Sequence, residues 1–347
     1  MSKKTIKVGV SGINAIDNPG PGIGVARSLK EDTELNVEIA GLSYDAMDPG
    51  NYMDWIIDRS FLLPYPSSDH TAFIERLLYI KDSWGLDVVI PTLDAELPFY
   101  IKYQEKLSAH GIQTFLPSMS QFKTRGKDRL TEVGEAIGIK VPRTHVVSSE
   151  QSLMEAIDDL GLPIMVKGAF YQAERAMTVQ AAITSFHKIG AEWGYPIIVQ
   201  QVVGGQEMNV VGVGDGLGGS LGLVGIKKLW VTSQGKIWTG VTVHNEKMLT
   251  AAKRFLQEYQ WRSAFELECL VDEDEIYLIE INPRFPAWSY FATGVGINLP
   301  ARLLRKMLNL PVPEQQDYPS GKLYVRYTYE LISDMEPFQK ISTQGER

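Results

Sequence analysis

The chain is poor in the residues that mark secreted, redox-active or zinc-dependent proteins. Of its 347 residues one is a cysteine, Cys269. A single thiol excludes an intrachain disulfide and any multi-cysteine zinc site. The five histidines, His70, His110, His145, His187 and His244, are scattered with no metal-type spacing. No apolar run reaches the ~20 residues that span a bilayer, so no membrane partner is expected. The start, MSKKTIKVGVSGI, lacks a signal-peptide cleavage pattern, and the expected location is the cytoplasm. Basic charge is scarce as well. A net charge of −8 argues against nonspecific nucleic-acid binding by bulk electrostatics. Low-complexity segments and internal repeats are absent. What remains is 44% hydrophobic and 22% charged, ordinary for a globular protein with two or three packed layers.

The first part alternates strand and helix. IKVGVSGI, NVEIAGLSYD, LDVVIPTLD and IQTFLPS read as strands, separated by helices in NPGPGIGVARSLKED, DHTAFIERLLYIKDSW and AELPFYIKYQEKLSAHG. Such βαβα alternation with short connections predicts an α/β domain with a parallel sheet, ending near Pro117. A helix is expected from about Ser118 to Gly138. A small α+β unit follows, with strands in GIKVPRTHVV, PIMVKGA and MTVQAA, and helices in SSEQSLMEAIDDLG and TSFHKIGAEWG. From Pro196 the chain is strand-rich, interrupted by the helix NEKMLTAAKRFLQEYQ.

Several motifs carry chemistry. NPGPGIGVARSL follows a strand and opens a helix, the context of a dinucleotide loop, but Pro19 and Pro21 break the strict glycine pattern. Tight turning and close helix packing explain these glycines better. Lys167 ends the strand PIMVKGA, from which a point charge could reach an α- or β-phosphate. In IIVQQVVGGQE, Gln200, the backbone of Gln201 and Val202, and Glu207 could meet an adenine amine, its ring edge and a ribose in that order. In FELECLVDEDEIYLIEINPRF two strands join at an acidic turn. Glu266 and Glu268 share a face of the first strand. Glu280, Asn282 and Arg284 share a face of the second. The hairpin brings Glu268 close to Glu280. Facing carboxylates repel unless a cation lies between them, and hard oxygen ligands with an amide suit Mg²⁺ bound to ATP phosphates.

The order of these pieces resembles the ATP-grasp superfamily, in its carbamoyl-phosphate-synthase-like and biotin-carboxylase-like branch, over nearly the whole chain. The resemblance implies an ATP-grasp fold. Residues 1–117 would be an N-terminal parallel-sheet preATP-grasp domain and 118–196 a small lid subdomain. Residues 197–347 would be a large antiparallel-sheet subdomain with a C-terminal extension. It implies Lys127, with Arg129 as the alternative, and Lys167 as phosphate-binding cations. Gln200, Gln201 and Val202 fall at the adenine hinge and Glu207 at the ribose. Glu268, Glu280 and Asn282 fall at the metal, and Arg284 at the transferred phosphoryl. The IWTG run, with Thr239 and Gly240, resembles the segment flanking the acceptor site. Gln200 replaces the usual hinge acid, and the loop GAFYQAERA lacks the usual glycine richness.

The implied activity is an ADP-forming carboxylate–amine ligase. ATP phosphorylates a carboxylate, and an amine displaces phosphate from the acylphosphate. ATP and Mg²⁺, with Mn²⁺ as an alternative, would be the cofactors. The substrates would be a small-molecule carboxylate and an amine or peptide, and the family is compatible with a homodimer. Two other readings are a peptide-modifying ligase acting on a ribosomal peptide and a nucleotide-binding regulator without turnover. The first domain could contribute Asp94 and Glu96 to hold a substrate amine, with Trp288 and Tyr290 lining the same cleft. The loop Phe170–Arg175, anchored by Phe170 and Tyr171, is expected to close on phosphate. Cys269 reads as a buried strand residue rather than a nucleophile.

Overall fold

The computed structural model describes residues 4–16, 18–168, 172–232 and 235–347. The chain divides into two compact units. No helix among the described residues is long and apolar enough to cross a membrane.

The larger unit comprises Met1–Phe122, Asn209–Glu266 and Ile281–Arg347. It contains a parallel sheet of Arg59–Leu62, Val37–Ser43, Ile6–Ser11 and Val88–Ile90, in that spatial order. Both faces of this sheet are covered, which is why its strands read as continuous apolar runs. Val88 and Ile90 enter one core with Val8, Val10 and Val25, while Val89 enters another with Phe73, Leu77 and Tyr100. The helix His70–Trp84 begins where Asp69 accepts hydrogen bonds from Thr71 N and Ala72 N, and stops at Gly85 with φ 92°. The glycines at the start of the helix Pro21–Lys30 serve close packing. Gly22 N donates to Gly12 O at 2.9 Å, and a Cβ on Gly22 would lie 1.9 Å from Ser11 O. Gly20 N donates to Asn14 O. These amides are spent on the chain itself, not held out for a dinucleotide phosphate.

A six-stranded sheet follows the spatial order Glu275–Asn282, Arg262–Asp272, Gln206–Asp215, Ser220–Val231, Ile237–Thr242, Leu323–Val325. The first three of these strands include residues of both units.

The smaller unit comprises Lys123–Met208 and Leu267–Glu280. Its antiparallel sheet runs Thr144–Val147, Ile197–Gln201, Ile164–Gly168, Ala173–Ala176. Val166 lies opposite Val199 on the face packed against Leu153, Phe186 and Ile189. Period-two alternation therefore turns Lys167 and Gln200 onto the other face. The helix Glu150–Leu160 starts at a capping box formed by Ser149 and Ser152.

Three sequence expectations are corrected. IQTFLPS, expected to be a strand, forms only an isolated bridge between Gln113 and Val88. The helix expected across 118–138 is two short helices, Met119–Lys123 and Leu130–Ile137. The intervening residues 124–129, with Gly126 among them, form turns. The strand expected in MTVQAA is the start of the helix Val179–Trp193, since Thr178 caps it by accepting from Ala181 N. The strand lies earlier, at Ala173–Ala176. Phe170 and Tyr171, expected to anchor the loop after Lys167, lie outside the described residues.

Candidate active site

The smaller unit gathers four of the charges singled out in the sequence. The break at Gly126 leaves Lys127 on a turn, and its Nζ donates to Gly168 O at 3.0 Å. Lys167, on the strand leading to Gly168, donates to Gln200 Oε1 at 2.6 Å. Burial pushes the Lys167 ammonium down to about 8; the charge of Lys127 adds to this, and Glu280 and Glu268 oppose it. Burial also lowers Lys127, with Glu280 opposing and Arg125 adding. Lys167 thus feels the charge of Lys127, and both lysines feel Glu280. Two partly buried ammonium groups in one electrostatic neighbourhood favour a polyanion between them. Two carboxylates beside them favour a cation. A metal-bound polyphosphate satisfies both demands at once.

Arg129, the alternative to Lys127, forks onto Glu132 with two contacts of 2.8 Å. Of the two cations it is Lys127 that reaches the strand end next to Lys167.

Gln200 is 4% exposed and engaged at both ends. Its Oε1 accepts from Lys167, and its Nε2 donates to Thr144 Oγ1 at 3.0 Å. One lone pair of Oε1 is therefore committed to the lysine, and an adenine amine would use the other. Gln201 N donates to Arg143 O at 2.8 Å, and its side chain accepts from Arg143 N. Val202 is partly buried and Glu207 exposed. Between them Gly205 has φ 115°, and a Cβ there would lie 2.7 Å from Val271 O. Only glycine fits this turn.

The larger unit holds Asn282 and Arg284 in a different setting. Glu266, 3% exposed, accepts from Asn282 Nδ2 at 2.9 Å, Asn209 Nδ2 at 2.7 Å and Trp288 Nε1 at 2.6 Å. A carboxylate only accepts, so Asn282 must turn its NH₂ toward Glu266. Its Oδ1, the atom able to ligate a metal, then faces Arg284 Nη2 at 3.2 Å. Arg284 Nε donates to Asp94 Oδ2 at 2.6 Å. The sequence put Glu266 and Glu268 on one face, but it carried no signal for the hub that Glu266 forms.

Other sequence candidates have structural duties. Glu96 is 1% exposed. It accepts from Ser11 Oγ, from Tyr44 OH at 2.6 Å, and from Thr92 N and Leu93 N at 2.9 Å. Burial raises its carboxyl and these hydrogen bonds oppose the shift. It ties the ends of the parallel strands together and does not present itself to a substrate amine. Trp288 is buried in the core. Tyr290 stacks under Arg27, 3.7 Å from the guanidinium, and donates to Glu31. Thr239 and Gly240 lie on the strand Ile237–Thr242. Cys269 is buried. No three His, Cys, Asp or Glu side chains among the described residues form a metal-holding group.

Residues 195–330 match the model of a family described as ATP-grasp in the biosynthetic pathway with Ter operon. Solved structures are similar over most of the chain. The ADP complex of an N5-carboxyaminoimidazole ribonucleotide synthetase is 19% identical, with a TM-score of 0.67, covering 92% of this chain and 80% of that one. The biotin carboxylase domain of Hydrogenobacter thermophilus 2-oxoglutarate carboxylase, in complex with MgADP, ADP and bicarbonate, is 14% identical with a TM-score of 0.69. It covers 92% of this chain and 73% of that one. An L-amino acid ligase from Bacillus licheniformis is 15% identical with a TM-score of 0.64, covering 88% and 75%. The chain has the ATP-grasp fold, with its parallel sheet and its large antiparallel sheet.

Proposed function

We propose that this ATP-grasp chain is an ADP-forming ligase that activates a carboxylate as an acylphosphate for attack by an amine. The observation that carries the reading is the charge cluster of the smaller unit. Lys127, Lys167, Glu268 and Glu280 come from three stretches of sequence; Glu280 acts on the charge of both lysines, and Glu268 and Lys127 act on Lys167. A purely structural unit has no reason to hold two lysines side by side at a cost in solvation.

Mg²⁺ would be held by Glu268, Glu280 and Asn282, and it would neutralise charge on the phosphates. Mn²⁺ suits the same oxygen donors. The similar structures include one with ADP and one with MgADP, which supports a nucleotide here. Lys127 and Lys167 would hold phosphate oxygens, with Gln200 fixing the Lys167 ammonium. Gln201, Val202 and Glu207 would hold the adenosine end. Arg284 would steady the transferred phosphoryl or the acylphosphate. These groups position and neutralise, and no residue need act as a nucleophile. The similarity to an amino acid ligase supports an amino acid or short peptide as substrate.

The test is ADP release by the full chain with MgATP and pooled amino acids and short peptides, followed by mass analysis of the products. Carboxylate-dependent ADP release with a new amide product is expected. ATP bound without ADP release in any pool would favour a regulator. Binding of no nucleotide would remove the reading altogether.

A further inference from the structure

The six-stranded sheet ends on an edge. The strand Leu323–Val325 pairs with Ile237–Thr242 on one side and is the last strand in the order. Arg326 N donates to Trp238 O at 2.9 Å, and Thr242 N donates to Lys322 O at 2.9 Å. Even-numbered residues therefore turn their backbone groups into the sheet. Alternation turns the N–H and C=O of Leu323 and Val325 to the open edge.

The same segment carries an apolar strip. Leu323, Val325, Tyr327 and Tyr329 are 62%, 56%, 74% and 52% exposed. Tyr327 stacks on Tyr329 at 5.9 Å, and Trp55 lies 6.2 Å from Tyr329. Trp230 pairs with Thr239, which pairs with Val325, so its exposed ring adds to this face. The reverse face is anchored. Tyr324 packs on Phe291 at 5.1 Å, and Arg326 donates to the carbonyls of Pro19 and Ala287. A fixed apolar strip beside open backbone groups is the surface that folded proteins normally cover.

We propose that this edge pairs antiparallel with the same edge of a second copy of the chain, about a two-fold axis at Arg326. Charge selects the occupant and the register. That axis sets Lys322 opposite Glu330 of the second copy, twice per interface, and both residues are exposed. It also sets Leu323 opposite Tyr329 and Val325 opposite Tyr327, so the exposed apolar strips of the two copies meet. An axis at Val325 would set Lys322 opposite Thr328 and lose both ion pairs. Two copies that each carry −8 repel at long range, which makes such local pairing necessary. The contact is isologous, so one pairing uses up both edges and growth stops at the dimer.

Sedimentation velocity of the full chain tests this. The parent should sediment as a dimer at micromolar concentration. Lys322→Glu and Glu330→Lys should each weaken dimerisation by about tenfold, since each creates two like-charge cross-strand pairs. The double reversal should restore it. Both positions are exposed, and unchanged thermal melting would show that the variants fold. A zero-length carbodiimide coupling of mixed isotopically light and heavy copies should yield a Lys322–Glu330 link between them. A monomeric parent, or a dimer indifferent to both single reversals, would overturn the proposal.

Discussion

The two units hold their functional residues in opposite ways. In the larger unit, Glu266, Asn282, Arg284 and Asp94 form a chain of complementary donors and acceptors, each acceptor met by N–H groups. In the smaller unit, burial lowers both Lys127 and Lys167, the charge of Lys127 lowers Lys167 further, and the two lean on a carbonyl and a neutral amide. The first arrangement pairs donors with acceptors within the unit and fixes the side chains of Asn282 and Arg284. The second is electrostatically strained and gains most from a bound polyanion and metal. Removing a residue from the first should therefore cost stability. Removing one from the second should cost binding and turnover.

The largest effect should come from Glu280→Gln. The amide is nearly isosteric but a poorer metal ligand, and turnover with MgATP should fall about 10³-fold, with little change in melting temperature. A variant that turns over normally would remove Glu280 from the metal. Next is Glu266→Leu. It leaves two buried amides and an indole N–H without their acceptor, and should cost about 3 kcal/mol by urea unfolding. A stable variant that loses only activity would erase the distinction between the units.

Smaller effects should follow from Lys167. Its proton leaves at about 8, so kcat/KM for ATP should fall severalfold as pH rises past that value. Lys167→Arg, which stays charged, should lose that limb of the profile. The sign for stability is opposite. The folded pKa lies below the ordinary lysine value of 10.5, so below about 8 the buried charge opposes folding. That cost is relieved as pH rises toward the unfolded value. Lys167→Met should therefore be more stable than the parent below about pH 8, with the gap closing toward 10.5. A gap that widens with pH would reverse the assignment. The smallest effect should be that of Asp94→Asn. Its pair with Arg284 is partly exposed, and the loss should stay under about 1 kcal/mol, with ATP affinity unchanged.

The sequence made the parallel sheet legible because both faces of each strand are buried and the helices between them are amphipathic. It made Lys167 and the Glu268–Glu280 hairpin legible because strand alternation and a short acidic turn are local signals. Glu266 was only half legible. Its face could be read, but its partners Asn209 and Trp288 are 57 and 22 residues away, beyond any periodicity. The tethering of Lys167 by Gln200 was hidden for the same reason, being a contact across 33 residues. The split around Gly126 is, by contrast, a local signal. KTRGKDR offers no apolar residue to carry a helix face, and the helices stop at Lys123 and resume at Leu130.

Calorimetric titration of ATP, with and without Mg²⁺, into the parent, Lys167→Met and Glu280→Gln tests the nucleotide site most directly. The parent should bind ATP and bind it more tightly with Mg²⁺. Lys167→Met should weaken binding about tenfold in both conditions, through loss of a charge-assisted hydrogen bond. Glu280→Gln should abolish only the gain from Mg²⁺. A parent that binds no ATP, or three proteins with the same affinity and the same response to Mg²⁺, would contradict the assignment.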